Sequence, residues 1–137
     1  MADYIYHMCA KRMWLEVVNS AVEYYYPPTF EQDGFIHATK DPSMLLSVAN
    51  HFYTDSPLDE EWVVLCIDVD RLASPVTYES PAPVGDKETT TFQKDDADAI
   101  VVFPHIYGGI NPSAVTQIIP MERNTEDGTF VSIQQDV

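Results

Sequence analysis

The sequence predicts an α+β domain of mostly antiparallel strands, about six to seven of them, with two main helices. Short aromatic or β-branched runs recur along the chain and are separated by Pro, Gly, Asn and Asp. Two segments show the spacing of an amphipathic helix. With 137 residues and no internal repeat, the chain is long enough for one hydrophobic core, so we expect a single domain over residues 1–137.

The composition indicates a globular, acidic protein. Hydrophobic residues make up 45% of the chain and charged residues 21%, which is not the balance of a disordered protein. The formal net charge is −15, with only seven Lys and Arg residues. Because nucleic acids and anionic membranes are bound through basic side chains, this charge argues against both as partners.

The lack of recognisable targeting signals and the setting of the two cysteines favour a cytoplasmic location. We find no apolar run long enough to span a membrane and no signal peptide at the N-terminus. Cys9 and Cys66 lie in apolar, strand-like runs, which is typical of buried thiols in a reducing compartment.

The N-terminal half predicts a strand at 4–9, a helix at 11–19, an aromatic loop at 23–30, a strand at 34–39 and a helix from 42 to about 53. The inward stripes of the two helices are Met13, Trp14, Val17 and Val18, and then Leu45, Leu46, Ala49 and Phe52. Asp41 followed by Pro42 is typical of a helix start. The tyrosines at 24–26 are interpreted as core or loop packing, with the wall of a cleft as the alternative.

The C-terminal half predicts strands at 62–68, 76–79, 99–107, 115–121 and 129–133. The first of these is a nearly continuous apolar run, which is typical of a central strand buried on both faces. Residues 80–98 are rich in Pro, Ser, Thr and Asp and are predicted to form a long exposed loop. Long loops of this kind are often functional, so a lid is one interpretation.

One stretch, 103–109, holds a histidine on a rigid backbone. Pro104 fixes its own φ and favours an extended residue before it, and Gly108-Gly109 permits a sharp turn after it. Such a mount suits a binding or catalytic imidazole at His105. The alternative is a strand that simply ends in a tight turn.

Three histidines share this setting, since His7 and His37 also lie in strands that precede a chain reversal. If these strands share a sheet system, the three imidazoles meet at one end of it. They could then bind a polar ligand and move a proton, or hold a zinc ion with a water; alternatively, each caps a strand end. The lack of a His-x-x-x-His spacing disfavours zinc. His51, in the second helix, is expected to face solvent or cap the helix end.

Three further side chains are candidate ligand-binding groups. Thr39 lies two residues after His37 and could share its face, or it could cap the following helix. Tyr107 lies two residues after His105 and could stack on a planar ligand or belong to the core. Glu79 ends a strand and could orient a histidine or act as a base, or it could be solvated.

Several motifs, in order, resemble the DUF952 family of proteins of unknown function over almost the whole chain. They are Ile-Tyr-His-Met at 5–8 with Trp14, Gly-Phe-Ile-His-Ala-Thr at 34–39, Ala49-Asn50 with Phe52, Phe-Pro-His-Ile-Tyr-Gly at 103–108, and Asp-Gly-Thr-Phe at 127–130. The resemblance implies a fold similar to ADP-ribosyltransferases, with a split β-core and an NAD-binding cleft between two small sheets.

The same resemblance implies roles for the histidines. His7 matches the place that contacts the NAD ribose, and His37 and Thr39 fall near the nicotinamide position. The late strand, which often carries a glutamate in that superfamily, here carries His105, which argues against protein ADP-ribosylation. A chemistry similar to that of RNA 2′-phosphotransferases would use histidines, but the few basic residues argue against an RNA substrate.

Together with the three histidines, the resemblance implies an enzyme that binds NAD or ADP-ribose in a histidine-lined cleft and acts as a transferase or glycohydrolase. His7, His37 and His105 are the predicted catalytic residues, and NAD would be a substrate and not a resident cofactor. The alternatives are a non-enzymatic module for a nucleotide or another small ligand, and a zinc site made by the three histidines. The expected partner is a small nucleotide-like molecule.

Overall fold

The computed structural model describes residues 3–80 and 102–133, which form two antiparallel sheets and two main helices. The strands are β1 Tyr4–Ala10, β2 Ile36–His37, β3 Trp62–Asp68, β4 Val76–Glu79, β5 Phe103–Ile106, β6 Val115–Arg123 and β7 Phe130–Ile133. The helices are α1 Lys11–Val18, the short α2 Phe30–Asp33 and α3 Leu45–Phe52, with 3₁₀ turns at Pro42–Met44, Val69–Arg71 and Pro112–Ala114. The predicted α+β class is confirmed.

The larger sheet has four strands in the order β1-β3-β6-β7, and β3 lies inside it. Alternate residues of β3 enter different cores, because side chains of a strand point to opposite faces. Leu65 and Ile67 join the core under α1 and the smaller sheet, whereas Val64 joins the core under α3. All three are fully buried, and each contributes about 1.5–3 kcal/mol of burial free energy. The prediction of a central strand buried on both faces is confirmed.

The smaller sheet has three strands in the order β2-β5-β4, with His105 on its central strand. Proline has no N–H to donate to a neighbouring strand. Pro104 is tolerated because β2 ends after two residues, so no strand lies opposite it on that side to require this hydrogen bond. Its carbonyl still accepts from the Ala38 N–H at 3.1 Å. The strand predicted at 34–39 is shorter than expected, since β2 covers only Ile36–His37. It cannot begin at Gly34, because this residue ends α2 in a left-handed conformation (φ 82°).

Helix α1 begins where the sequence predicts, whereas the second helix, predicted from residue 42, opens with a 3₁₀ turn at Pro42–Met44 and is α-helical only from Leu45. Trp14 of α1 is buried, but Val18, predicted on the same stripe, is 43% exposed because the helix ends there. Before α3, the Asp41 side chain accepts a hydrogen bond from the Ser43 N–H at 3.0 Å, with Pro42 between them. Leu45 of α3 is completely buried against the larger sheet.

Of the two connecting segments predicted from the sequence, the structure describes the first and only one residue of the second. The aromatic segment at 23–30 is partly core, because Tyr25 is 1% exposed and pairs by its main chain with Ile110. The loop predicted at 80–98 lies outside the described residues, apart from its first residue. Within the described part of the chain, no helix is long and apolar enough to cross a membrane.

Candidate active site at the edge of strand β1

A cleft of about 290 Å³ lies beside β1 and is walled mainly by apolar and aromatic side chains. The outer edge of β1 is paired at Tyr6, whose N–H and C=O bond to Thr39 at 2.8 and 2.7 Å. Polar main-chain groups alternate between the two sides of an antiparallel strand, so those of Met8 also point away from β3. Met8 lines the cleft, which therefore borders a strand edge.

His7 lies on the wall of this cleft and is only 3% exposed. Its Nδ1 donates to the main-chain carbonyl of His37 at 2.7 Å, because a carbonyl can only accept. The proton is thus on Nδ1, and Nε2 keeps a lone pair. Nε2 is buried and has no hydrogen-bond partner among the described residues. Burial lowers the pKa of His7 from 6.5 to about 4, so the ring is neutral at pH 7.

His37 also lines the cleft and is paired with a carboxylate. Its Nε2 lies 2.9 Å from Asp33 Oδ2, and both side chains are largely buried. Burial lowers the pKa of His37, and the hydrogen bond and charge of Asp33 act in the opposite direction. Asp33 is the last residue of α2, and the left-handed Gly34 after it folds the chain back so that the carboxylate reaches the histidine.

His105 lies directly opposite His37 across β2 and β5, and the two ring centroids are 5.5 Å apart. Phe35 stacks on the His105 ring at 4.2 Å and contacts the His37 ring at 4.8 Å. Phe35 and His37, two residues apart, therefore lie on the same face of the chain. His105 is 2% exposed and is not one of the residues that line the cleft.

Glu79 and Tyr107 hold His105 from the other side. Glu79 Oε1 lies 2.8 Å from His105 Nδ1 and also accepts a hydrogen bond from the Tyr107 hydroxyl. The hydrogen bonds from Tyr107 and His105 lower the pKa of Glu79 below its usual value. Glu79 thus lies where it could orient a histidine, and neither Glu79 nor Tyr107 lines the cleft.

Thr39 is placed differently from the other candidates. It is buried, and both of its main-chain hydrogen bonds go to Tyr6. This bridge ties the chain after β2 to the edge of β1. Thr39 is not part of the cleft wall, and its main-chain contribution is to hold the two sheets together.

Aromatic residues complete the cleft, and most of them were not predicted as site residues. Tyr53 and Trp62 stack with ring centroids 4.6 Å apart, and both line the cleft. Tyr25, within the tyrosine run, lines it as well and hydrogen-bonds to Cys9. Burial raises the pKa of the Cys9 thiol to about 12, so Cys9 is not a nucleophile at neutral pH. The cleft-wall alternative for the tyrosines agrees with the position of Tyr25.

Two charged residues, Arg12 and Glu60, also line the cleft and are paired with each other. Arg12 Nε donates to both carboxylate oxygens of Glu60, at 3.0 and 3.2 Å. The loop that carries Glu60 is held by Arg123, which donates to the carbonyl oxygens of Thr54, Ser56, Pro57 and Glu60. Sequence patterns do not bring these residues together, because they are far apart along the chain.

The described residues contain no group of three His, Cys, Asp or Glu side chains that could hold a metal ion. The His37 and His105 rings are close, but each histidine nitrogen that has a partner is directed to a different group: a carbonyl for His7, Asp33 for His37 and Glu79 for His105. The described geometry therefore does not form the three-histidine zinc site that was the alternative interpretation. His51 is half-buried on α3, with its ring 4.5 Å from that of Phe52.

Comparison with known proteins gives a family and a fold. The family described as "Protein of unknown function (DUF952)" matches residues 8–118. The crystal structure of protein CC0527 from Caulobacter crescentus is similar, with a TM-score of 0.66, 17% identity and 93% of each chain covered. A double mutant of the same protein gives a TM-score of 0.66 at 16% identity. No curated protein matches. With four fifths of its length matched, the chain belongs to the DUF952 family.

Proposed function

We propose that this protein binds a nucleoside-containing small molecule of the NAD or ADP-ribose type in the β1 cleft and breaks its glycosidic bond. The observation that carries the proposal is His7, which is neutral and buried on the wall of an aromatic cleft with Nε2 unpartnered. A buried polar atom without a partner is rare in a protein and suits a ligand that supplies the missing hydrogen bond.

The polar groups of the cleft match the parts of such a ligand. Because Nε2 of His7 can only accept, its partner is a donor, and a ribose hydroxyl is one. The stacked pair Tyr53 and Trp62 offers flat apolar surface to a ring. The main-chain N–H and C=O of Met8, on the outer edge of β1, suit a planar amide such as that of nicotinamide.

The reaction would be glycosyl transfer to water or to another acceptor. The bond between C1′ and the nicotinamide nitrogen breaks, and its electron pair leaves with nicotinamide, which loses its positive charge. The sugar passes through an oxocarbenium-like state, as in other glycosidic cleavage. Water then bonds to C1′, and its proton passes to His37, whose Nδ1 carries a lone pair when Nε2–H donates to Asp33.

In this scheme the six predicted residues have unequal roles. His7 and His37 contact the ligand, and His105 positions His37 across the β2–β5 pair. Glu79 and Tyr107 orient His105 through their shared hydrogen bonds. Thr39, the sixth, fixes the edge of β1.

A non-enzymatic binding module is the second candidate. Glu60 is the one carboxylate residue among the described residues that line the cleft. Both of its oxygens already accept hydrogen bonds from Arg12, which favours this second candidate. With no carboxylate left to stabilise an oxocarbenium ion in the cleft, the protein would bind its ligand without turnover. Release of nicotinamide separates the two candidates.

The test is calorimetry with NAD and ADP-ribose on the wild type and on His7→Asn. Asparagine keeps an N–H donor where Nδ1 lies but removes the Nε2 acceptor, so affinity should fall by about three- to tenfold. His51→Gln, a histidine change on α3 outside the cleft wall, is the matched control and should bind like the wild type. Absence of binding at about 10 mM ligand by a folded protein, far weaker than ordinary substrate affinities, would remove the proposal.

Nicotinamide release followed by NMR decides whether binding leads to chemistry. The enzymatic proposal expects turnover in the wild type and its loss in His37→Ala. Binding with no release under any condition would leave the binding module as the function.

A further inference from the structure

Helix α1 begins at the cleft without a cap. Its N-cap residue, Ala10, has no side chain that can accept a hydrogen bond, and the first turn holds no acidic residue. Ala10, Arg12 and Met13 all line the cleft. The first N–H groups of a helix have no partner within the helix, and the helix dipole makes this end positive. Among the described residues, a partner outside the helix is found for the Lys11 N–H, which donates to the Glu61 carbonyl at 2.8 Å.

A positive side chain lies at the same place. Arg12 is the one basic residue among the described residues that line the cleft. Its contacts with Glu60 use Nε, and the side chain is 64% exposed. The terminal amino groups of the guanidinium can therefore bind an anion while Nε stays on Glu60. A guanidinium fork matches the oxygens of a phosphate well.

An independent observation points to a ligand in this cleft, namely the unpartnered Nε2 of His7, a residue that is 3% exposed. His7 and Ala10 lie three residues apart on β1, which is about 10 Å along a strand. A ligand that reached both His7 and the long side chain of Arg12 would carry a hydroxyl donor and an anion. A phosphorylated nucleoside carries both groups.

We propose that Arg12 and the N-terminus of α1 bind a phosphate group of the ligand, so that the cleft selects phosphorylated nucleosides over nucleosides. This inference rests on the proposed function for the nucleoside part, but it assigns a phosphate subsite to residues outside the histidine cluster. Glu60 opposes the phosphate, because its carboxylate neutralises Arg12 and repels an anion nearby.

The test uses three probes: adenosine, adenosine 5′-monophosphate and ribose 5-phosphate. Binding is measured by calorimetry on the wild type, Arg12→Gln, Glu60→Gln and Arg71→Gln. Arg71 is the matched control, since it is 67% exposed, is paired with Asp68 and lies outside the cleft wall. The three substitutions are expected to leave the fold intact, because Arg12 and Arg71 are exposed and Glu60→Gln keeps the size of the side chain.

The wild type should bind the monophosphate about tenfold more tightly than adenosine, the size of one charge-assisted hydrogen bond. Arg12→Gln should remove most of this preference and Glu60→Gln should increase it, whereas Arg71→Gln should leave it unchanged. Equal affinity for adenosine and its monophosphate in the wild type would overturn the phosphate subsite and leave the proposed function intact.

The failure of the proposed function gives a different pattern. Ribose 5-phosphate that binds in an Arg12-dependent way, with no binding of adenosine, would support the phosphate subsite and remove the nucleoside proposal. A preference for phosphate that Arg12→Gln and Arg71→Gln reduce equally would reflect net charge alone and would overturn the subsite.

Discussion

His7 Nδ1 and the main-chain carbonyl of His37 are joined by a 2.7 Å hydrogen bond that connects the two sheets. This bond fixes the tautomer of His7 and leaves its Nε2 without a partner among the described residues. The second sheet thereby sets the chemical state of a residue in the first, because the carbonyl that determines where the proton lies belongs to β2.

The burial of neutral His7 predicts a pH-dependent stability. Its pKa is about 4 in the folded protein against 6.5 in the unfolded chain, so the unfolded chain binds more protons between these values. Stability from His7 is fully present above pH 6.5 and is lost as the pH falls toward 4. The free energy of unfolding should drop by about 2 kcal/mol between pH 7 and pH 5, measured by urea denaturation.

His7→Asn tests this assignment, because it removes the titrating group from both states. The difference in the free energy of unfolding between wild type and variant should shrink as the pH falls. A His7→Asn variant with an unchanged slope over this range would assign the pH dependence to another group.

Replacement of the Asp33 carboxylate should change the titration of His37. Asp33→Asn keeps an oxygen that can accept from Nε2 but removes the charge, and that charge opposes the lowering of the His37 pKa. The pKa of His37 should therefore fall further, as measured by NMR titration of its ring. Glu31→Gln changes a carboxylate on the same short helix that is exposed, and it should leave the titration unchanged.

Two glycine substitutions should differ in their cost and in their effect on the cleft. A Cβ at Gly109 would lie 2.6 Å from Tyr24 Cβ and 2.8 Å from Tyr26 Cζ, so Gly109→Ala must displace the segment that carries Tyr25. We expect a loss of about 1–3 kcal/mol in the free energy of unfolding together with weaker ligand binding.

Gly34→Ala is the comparison. A Cβ there meets nothing within 4 Å, but the φ of 82° is unfavourable for alanine and should cost about 1 kcal/mol. Both variants are measured by thermal and urea denaturation. A Gly109→Ala variant as stable as the wild type would show that the tyrosine segment adapts without cost.

Arg123 should control the loop at the mouth of the cleft. Its guanidinium donates to several carbonyl oxygens of residues 54–60, a pattern that one ammonium group cannot reproduce. Arg123→Lys should lower the free energy of unfolding by about 2 kcal/mol and increase hydrogen exchange in this loop. Arg71→Lys, a change of the same kind at an exposed ion pair, should alter stability by less than about 0.5 kcal/mol.

The positions of most strands and helices, and which of their residues share a face, follow from local sequence patterns. The apolar run of β3 and the Asp41-Pro42 start before α3 are confirmed because strand alternation and helix capping act between near neighbours. The same argument explains the shared face of Phe35 and His37. The length of β2 was overestimated, since the left-handed turn at Gly34 is enforced by the preceding short helix, which was not predicted.

The composition and motifs of the chain determined by themselves its α+β class, its family and the three histidines as candidates. Only the tertiary structure decided what each histidine contacts, because Asp33, Glu79 and the His37 carbonyl reach the rings through sheet pairing and turns between distant segments. It also brought α1 and the aromatic wall to the edge of β1. A cleft depends on contacts between residues far apart in sequence, and no local pattern encodes them.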